Sequence, residues 1–221
     1  MKRKFFISGL FLLLVLFVQA QQPPFYNEVQ KLKQHTDSIV KADGGKNILF
    51  IGSSSFTLWH SMQADLPEYK IINNAFGGST LLDVIRYIDD IIPVKNTKQI
   101  VIYCGENDLA ADSTVTGEIV AQRFEQLFHL LRKKVKNVPI VYVSMKPSPS
   151  RVHLMEKMET GNRLISYFLK KEKYRGYVNV YNKMLKEDGT VMDDIFLQDR
   201  LHMNKAGYAI WIPLIKKALV N

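Results

Sequence analysis

The chain has 221 residues, of which 47% are hydrophobic and 23% charged, a composition that suits one globular domain with a full core rather than two small ones. Cys104 is the only cysteine, so an internal disulfide is excluded. The formal net charge is +9, but the basic residues cluster near predicted helix ends and no groove-reading motif accompanies them, which argues against a nucleic-acid partner.

The first residues have the three parts of a secretory signal peptide. A basic tripeptide at 2–4 precedes an apolar stretch over 5–18 and a small-residue cleavage motif that ends at Ala20. A serine and a glycine interrupt the apolar stretch, which favours cleavage over a membrane anchor. We therefore predict removal of residues 1–20, a single mature domain over 21–221 with no stable membrane insertion, and export to the periplasm or the medium.

Helix-type and strand-type patterns alternate along the rest of the chain. In order, the predicted elements are a helix over 24–43, strands over 48–51 and 70–73, a helix over 81–92, a strand over 99–104, a helix over 116–136, a strand over 139–145, a helix over 152–170, a strand over 177–181 and a helix over 204–220. Helical crossovers between strands predict an α/β fold, a three-layer α/β/α sandwich around a five-stranded parallel sheet.

Polar turns follow the first and third predicted strands. The first strand runs directly into Gly52 and the hydroxyls of 53–55, which makes these serines nucleophile candidates, or residues that turn the chain and cap a helix. Asn107 lies in the Gly-Glu-Asn-Asp turn after the third strand, where its amide could donate to an oxyanion or simply form the turn. Loss of one oxyanion donor costs about 3 kcal/mol of transition-state stabilisation.

Two further motifs complete the set. Gly78 follows the second strand, where a glycine either lets a backbone N–H approach an oxyanion or allows a positive-φ turn. Near the C terminus, the spacing of Asp199 and His202 lets the carboxylate accept the Nδ1 proton and leaves Nε2 free as a general base. A surface salt bridge is the alternative for this pair.

Together, these four blocks resemble those of the SGNH (GDSL-like) hydrolase superfamily over about residue 47 to the C terminus. The resemblance implies a flavodoxin-like SGNH hydrolase fold. It also implies that Ser54 is the nucleophile of a triad with Asp199 and His202, and that the oxyanion donors are Ser54, Gly78 and Asn107. Because the family usually has Asp where this chain has Ser53, the neighbouring serines 53 and 55 remain alternative nucleophiles, as Gly77 remains an alternative to Gly78.

The implied activity is a carboxylic-ester hydrolase that removes short acyl groups, such as acetyl, from carbohydrate or related esters. Neither a cofactor nor a metal is implied, and the other four histidines share no ligand spacing. The alternatives are a lysophospholipase or thioesterase for longer chains, and a non-catalytic carbohydrate-binding protein on a degenerate hydrolase scaffold. The ordinary α/β-hydrolase elbow is disfavoured because Phe56 replaces its second glycine.

Three other features have two interpretations each. Cys104 is either a rival nucleophile or, as for most lone cysteines in strands, a small buried hydrophobe. Trp59 either lines an acyl pocket or fills the core, and the core is favoured. The loop over 146–151 leaves the fourth strand at the edge where ligands bind, so it either shapes the pocket or is an ordinary connection.

Overall fold

A computed structural model of the protein describes residues 22–220. Five strands form one parallel sheet in the order β2-β1-β3-β4-β5, as predicted. The strands are β1 (Asn47–Gly52), β2 (Ile71–Asn73), β3 (Thr97–Tyr103), β4 (Ile140–Val143) and β5 (Arg175–Val178). The predicted signal peptide, residues 1–20, lies outside the described residues.

Helices cover both faces of the sheet. They are α1 (Tyr26–Asp43), α2 (Ser54–Thr57), α3 (Met62–Asp65), α4 (Leu81–Arg86), α5 (Ile88–Ile91), α6 (Glu106–Ala111), α7 (Gly117–Lys134), α8 (Met155–Lys171) and α9 (Lys205–Lys216), with 3-10 helices at Val94–Asn96, Pro149–Leu154 and Tyr181–Met184. Over residues 22–220, none of these helices combines the length and apolar character that crossing a bilayer demands.

The strands alternate their side chains between two cores, since successive strand residues point to opposite faces. Leu49 and Ile51 of β1 belong to the core that α1, α4, α5, α7 and α8 cover. Ile48 and Phe50 belong to the core that α2, α3 and α9 cover, which includes Trp211. Full burial of each large apolar side chain contributes roughly 1.5–3 kcal/mol relative to exposure. The α/β/α sandwich predicted from the alternating pattern is therefore confirmed.

The strand order reverses between β1 and β3, because the chain goes from β1 outward to β2 and then returns to the other side of β1. Loops at the carboxyl ends of such neighbouring strands form a crevice in which open α/β sheets bind ligands. Gly52 closes β1 with φ +125°, and a Cβ there would lie 1.9 Å from the carbonyl oxygen of Tyr103. Only glycine allows the turn after β1 to pass so close to β3.

Of the differences from the predicted elements, two have an explanation in the hydrogen bonds. β5 ends at Val178 rather than at 181, because the backbone N–H groups of Val180 and Tyr181 donate to the Ser144 side-chain oxygen instead of to β4 (3.0 and 3.2 Å). The predicted helix over 81–92 is divided at Tyr87 into α4 and α5. The Tyr87 side chain is buried, and its hydroxyl donates a 2.6 Å hydrogen bond to the Pro24 carbonyl.

Candidate active site

The three serines after β1 face three different surroundings. Ser53 and Ser55 are 4% and 2% exposed, whereas Ser54 is half-buried at the first position of α2. The Ser53 hydroxyl accepts a 2.7 Å hydrogen bond from the Asn107 amide. Ser54 alone of the three has its hydroxyl at hydrogen-bond distance from a described histidine.

Ser54, His202 and Asp199 form a continuous hydrogen-bonded series. The Ser54 Oγ lies 3.0 Å from Nε2 of His202, and Nδ1 of the same ring lies 2.6 Å from Asp199 Oδ2. When Asp199 accepts from Nδ1–H, the tautomer leaves the Nε2 lone pair facing the serine hydroxyl. The structure thus brings together residues that are 148 positions apart in the chain.

The Asp199 carboxylate is held by the turn that carries the histidine. Its Oδ1 accepts backbone hydrogen bonds from Leu201 and His202, both of 2.9 Å. Burial alone raises the pKa of Asp199, but the backbone hydrogen bonds from His202 and Leu201 and the interaction with the imidazole outweigh it, and the pKa falls to about 2. The carboxylate is therefore charged throughout the neutral range.

This lowered pKa predicts a pH effect on stability. Because the folded-state pKa of about 2 is below the reference 3.8, the charged carboxylate stabilises the fold above pH 4, and the contribution is lost as the pH falls towards 2. The side chain is 46% exposed, so solvent screening keeps the effect modest. Denaturant unfolding of wild type and Asp199→Asn should show a difference at pH 5 that shrinks towards pH 2. A constant difference would contradict the assignment.

The three predicted oxyanion donors, Ser54, Gly78 and Asn107, line the same cavity. Gly78 adopts φ +80°, which glycine tolerates, and lines the cavity above Ser54 together with Gly77 and Asn107. The Asn107 Nδ2 donates to the Ser79 carbonyl (3.0 Å) as well as to Ser53. The backbone N–H of Ser54 opens α2, where the first N–H groups of a helix lack intrahelical acceptors.

Hydrogen bonds at the start of α4 and from Ser79 hold the glycine turn, the turn that contains Gly77 and Gly78. Thr80 rather than Ser79 caps α4, since the Thr80 hydroxyl accepts from the Asp83 N–H and the Asp83 carboxylate accepts from the Thr80 N–H. The Ser79 hydroxyl instead donates to the Gly52 carbonyl at 3.0 Å. This bond ties the glycine turn to the end of β1.

The model of the GDSL-like lipase/acylhydrolase family matches residues 37–210 of this sequence. The chain belongs to this family. It is a serine ester hydrolase, as the resemblance implied. No curated protein matches the sequence.

Solved structures of other GDSL-like hydrolases and related proteins share the fold. A protein from Streptococcus pneumonia described as a platelet activating factor has TM-score 0.75 and 19% identity, with 88% of this chain and 92% of that chain covered. A GDSL-like lipase from Bacteroides thetaiotaomicron has TM-score 0.67 and 18% identity over 86% and 97%. An acetyl-xylooligosaccharide esterase from Geobacillus Stearmophilus has TM-score 0.61 and 15% identity over 78% and 94%. At these identities the likeness concerns the fold.

The cavity of this GDSL-like hydrolase lies over the Ser54 hydroxyl and has a volume of about 360 Å³. Its lining combines apolar surface with hydroxyl, amide, guanidinium and imidazole groups, and the lining residues are Ser54, Thr57, Leu58, Gly77, Gly78, Asn107, Arg151, Leu201 and His202. Within residues 22–220, no cluster of three or more His, Cys, Asp or Glu side chains has an arrangement that could hold a metal ion.

The two side chains with alternative interpretations belong to the interior. Cys104 is 1% exposed, its thiol lies 3.5 Å from the Ser79 carbonyl, and burial raises its pKa well above the ordinary value, which makes it a poor nucleophile. Trp59 is 2% exposed, stacks on Tyr208 and donates from its indole N–H to Asp65 (2.7 Å). It fills the core and does not line the cavity.

The loop after β4 does contribute to the cavity, through Arg151. Sequence reasoning left its contribution open and missed the pairing of Lys146, the first residue of this loop, with Glu106; these residues are 1% and 7% exposed. The available signals were a glutamate in the turn before Asn107 and a lysine directly after an apolar strand. Both residue types are rarely buried without a partner, so each could have marked an ion pair.

Proposed function

We propose that this GDSL-like hydrolase removes short acyl groups from carbohydrate or related esters, with Ser54 as the nucleophile, His202 as the general base and Asp199 as the group that orients the imidazole. The proposal is carried by the hydrogen-bonded series from Ser54 through His202 to Asp199, with separations of 3.0 and 2.6 Å. A nucleophile within reach of its base, and a base held by a third group, is the geometry that covalent acyl transfer needs.

Hydrolysis proceeds in two acyl-transfer steps. His202 Nε2 accepts the Ser54 proton as Oγ attacks the ester carbonyl, and the resulting imidazolium then protonates the leaving alcohol as the C–O bond breaks. Water then gives a proton to the same nitrogen and attacks the acyl-enzyme. The bond between the acyl carbon and Ser54 Oγ breaks, the imidazolium returns the proton to Oγ, and the carboxylic acid is released. The N–H groups of Ser54, Gly78 and the Asn107 side chain stabilise the negative charge on the oxygen in both steps.

A cavity of about 360 Å³ that must hold the acyl group and part of the alcohol portion of the ester supports a short acyl group. Only Leu58 and Leu201 contribute large apolar side chains to its lining, while the rest is glycine, hydroxyl, amide or charged. Each methylene group buried against an apolar wall stabilises a bound ligand by about 0.8 kcal/mol, so the number of methylenes that these two leucines can cover sets the preferred acyl length. The fold shared with an acetyl-xylooligosaccharide esterase is consistent with an acetylated glycan as the substrate. The predicted signal peptide would bring the enzyme to such substrates outside the cytoplasm.

Rates on a series of nitrophenyl esters, from acetate to decanoate, test the acyl-length proposal. We expect kcat/KM to be greatest for acetate and to fall about tenfold or more once the chain exceeds the cavity. Release of acetate from acetylated xylooligosaccharides tests the glycan part, with a lysophospholipid as the competing substrate. A maximum at decanoate, or preferred cleavage of the lysophospholipid, would replace this proposal by the lysophospholipase or thioesterase alternative.

Labelling with a fluorophosphonate separates catalysis from simple glycan binding. The activated serine should react covalently, and prior incubation with a reactive acetyl ester should slow the labelling. Glycan binding by a chain that takes up no label would favour the non-catalytic carbohydrate-binding alternative.

A further inference from the structure

Three charged side chains meet in the interior next to the catalytic cavity. The side chains of Glu106, Lys146 and Arg151 are 8%, 1% and 15% exposed. The Lys146 ammonium donates to both Glu106 carboxylate oxygens (3.2 and 3.3 Å), and the Arg151 Nη1 donates to Oε2 (3.2 Å). Burying charges costs several kcal/mol per ion unless each is paired, so an arrangement of three requires a closely matched geometry.

The second terminal nitrogen of the Arg151 guanidinium contacts Asn107, a proposed oxyanion donor. Arg151 Nη2 donates to the Asn107 Oδ1 at 2.9 Å, while Nη1 of the same planar group is held by Glu106. A guanidinium that bridges two acceptors has its orientation set by both, which a single ammonium could not reproduce.

These contacts determine which end of the Asn107 amide faces the reacting oxygen. Oδ1 meets a guanidinium N–H, and Nδ2 meets the Ser79 carbonyl oxygen at 3.0 Å. Reversal of the amide would place N–H against N–H and oxygen against oxygen. The remaining Nδ2 proton, now directed at Ser53 Oγ, is the one that can serve an oxyanion.

The ion pair with Lys146 holds the Glu106 carboxylate, which in turn accepts from Arg151. Burial lowers the pKa of Lys146, while the adjacent Glu106 carboxylate opposes the shift. The ammonium also lies 5.7 Å from the centre of the Phe196 ring, a cation–π contact. With two cationic partners, the Glu106 carboxylate has acceptor positions for both Lys146 and Arg151.

We propose that Arg151, held by the Glu106–Lys146 ion pair, is a positioning residue that orients the Asn107 amide towards the oxyanion. This inference rests on the proposed function, since it assigns a role to a contact of the same site. Although Arg151 also lines the cavity, a residue that acts by orienting Asn107 can change kcat only while the Asn107 side chain is present.

A double-mutant cycle tests this dependence, using nitrophenyl acetate hydrolysis by the mature protein. Removing an oxyanion donor lowers kcat about 10²–10³-fold, so we expect a loss in that range for Asn107→Ala. Arg151→Met should lower kcat about tenfold with KM within twofold, because the Ser79 carbonyl still holds one amide proton. In the Asn107→Ala background, Arg151→Met should cause no further loss. Arg163→Met, a change at an exposed arginine of α8 outside the cavity lining, is the matched control and should leave kcat unchanged.

Equal losses of kcat in both backgrounds would overturn the inference, as would an effect of Arg151→Met on KM alone. Should Arg151→Met fail to fold, Glu106→Gln keeps the volume and weakens the hold on the guanidinium. That variant should lower kcat several-fold in wild type and not in Asn107→Ala. Additive effects with activity still dependent on Ser54 would refute only this inference, whereas full activity in Ser54→Ala would refute the proposed function.

Discussion

Replacing Ser54 by alanine is expected to lower kcat for ester hydrolysis about 10⁵-fold or more and to abolish fluorophosphonate labelling. The reason is that the hydroxyl 3.0 Å from His202 Nε2 is the only one of the three neighbouring serines placed to lose its proton to that ring. The residue is half-buried, and within residues 22–220 its side chain has no hydrogen bond other than the one to His202, so the melting temperature should change little. Nitrophenyl acetate kinetics and thermal unfolding measure the two effects.

Two serine variants provide the comparison. Ser38→Ala, at an exposed position of α1, should retain wild-type activity. Ser53→Ala should still take up the covalent label, because its hydroxyl contacts the Asn107 amide and not the imidazole. Label incorporation that survives in Ser54→Ala and disappears in Ser53→Ala would transfer the nucleophile role to Ser53.

The second large effect is expected for Asp199→Asn, which should lower kcat about 10³–10⁴-fold with little change in KM. The carboxylate accepts from Nδ1–H at 2.6 Å, and this selects the tautomer whose Nε2 can accept the serine proton. An amide of the same size can instead donate to Nδ1, which would place the proton on Nε2 and remove the base. Steady-state kinetics at pH 7 to 8 measure the loss.

Asp193→Asn is a matched control in the same segment. Asp193 is 60% exposed and pairs with Arg200, itself 63% exposed, so the same chemical change should leave kcat nearly unaltered. A comparable loss in both variants would mean that a general change of surface charge, rather than the Asp199–His202 hydrogen bond, controls the rate.

The sheet and its helices follow from local patterns in the sequence. Apolar runs such as 48–51 and the period of the helix over 117–134 depend on neighbouring residues only, so they predict strands, helices and their alternation. The end of β5 was not predictable in this way, because it depends on hydrogen bonds from Val180 and Tyr181 to Ser144, which directly follows β4. The break at Tyr87 likewise coincides with a contact to Pro24, 63 positions away.

For the site, the sequence by itself determined which residue types stand at the ends of β1 and β3 and before α9, and hence the family and its ester chemistry. Only the tertiary structure distinguishes the surroundings of the three serines, since adjacent residues in a turn point in different directions and differ in burial. It also revealed the contact of Arg151 with Asn107 and the Glu106–Lys146 pair, which join positions 40 or more apart. Such charge pairs leave no periodic pattern in a sequence, because what matters is the distance between side chains after folding.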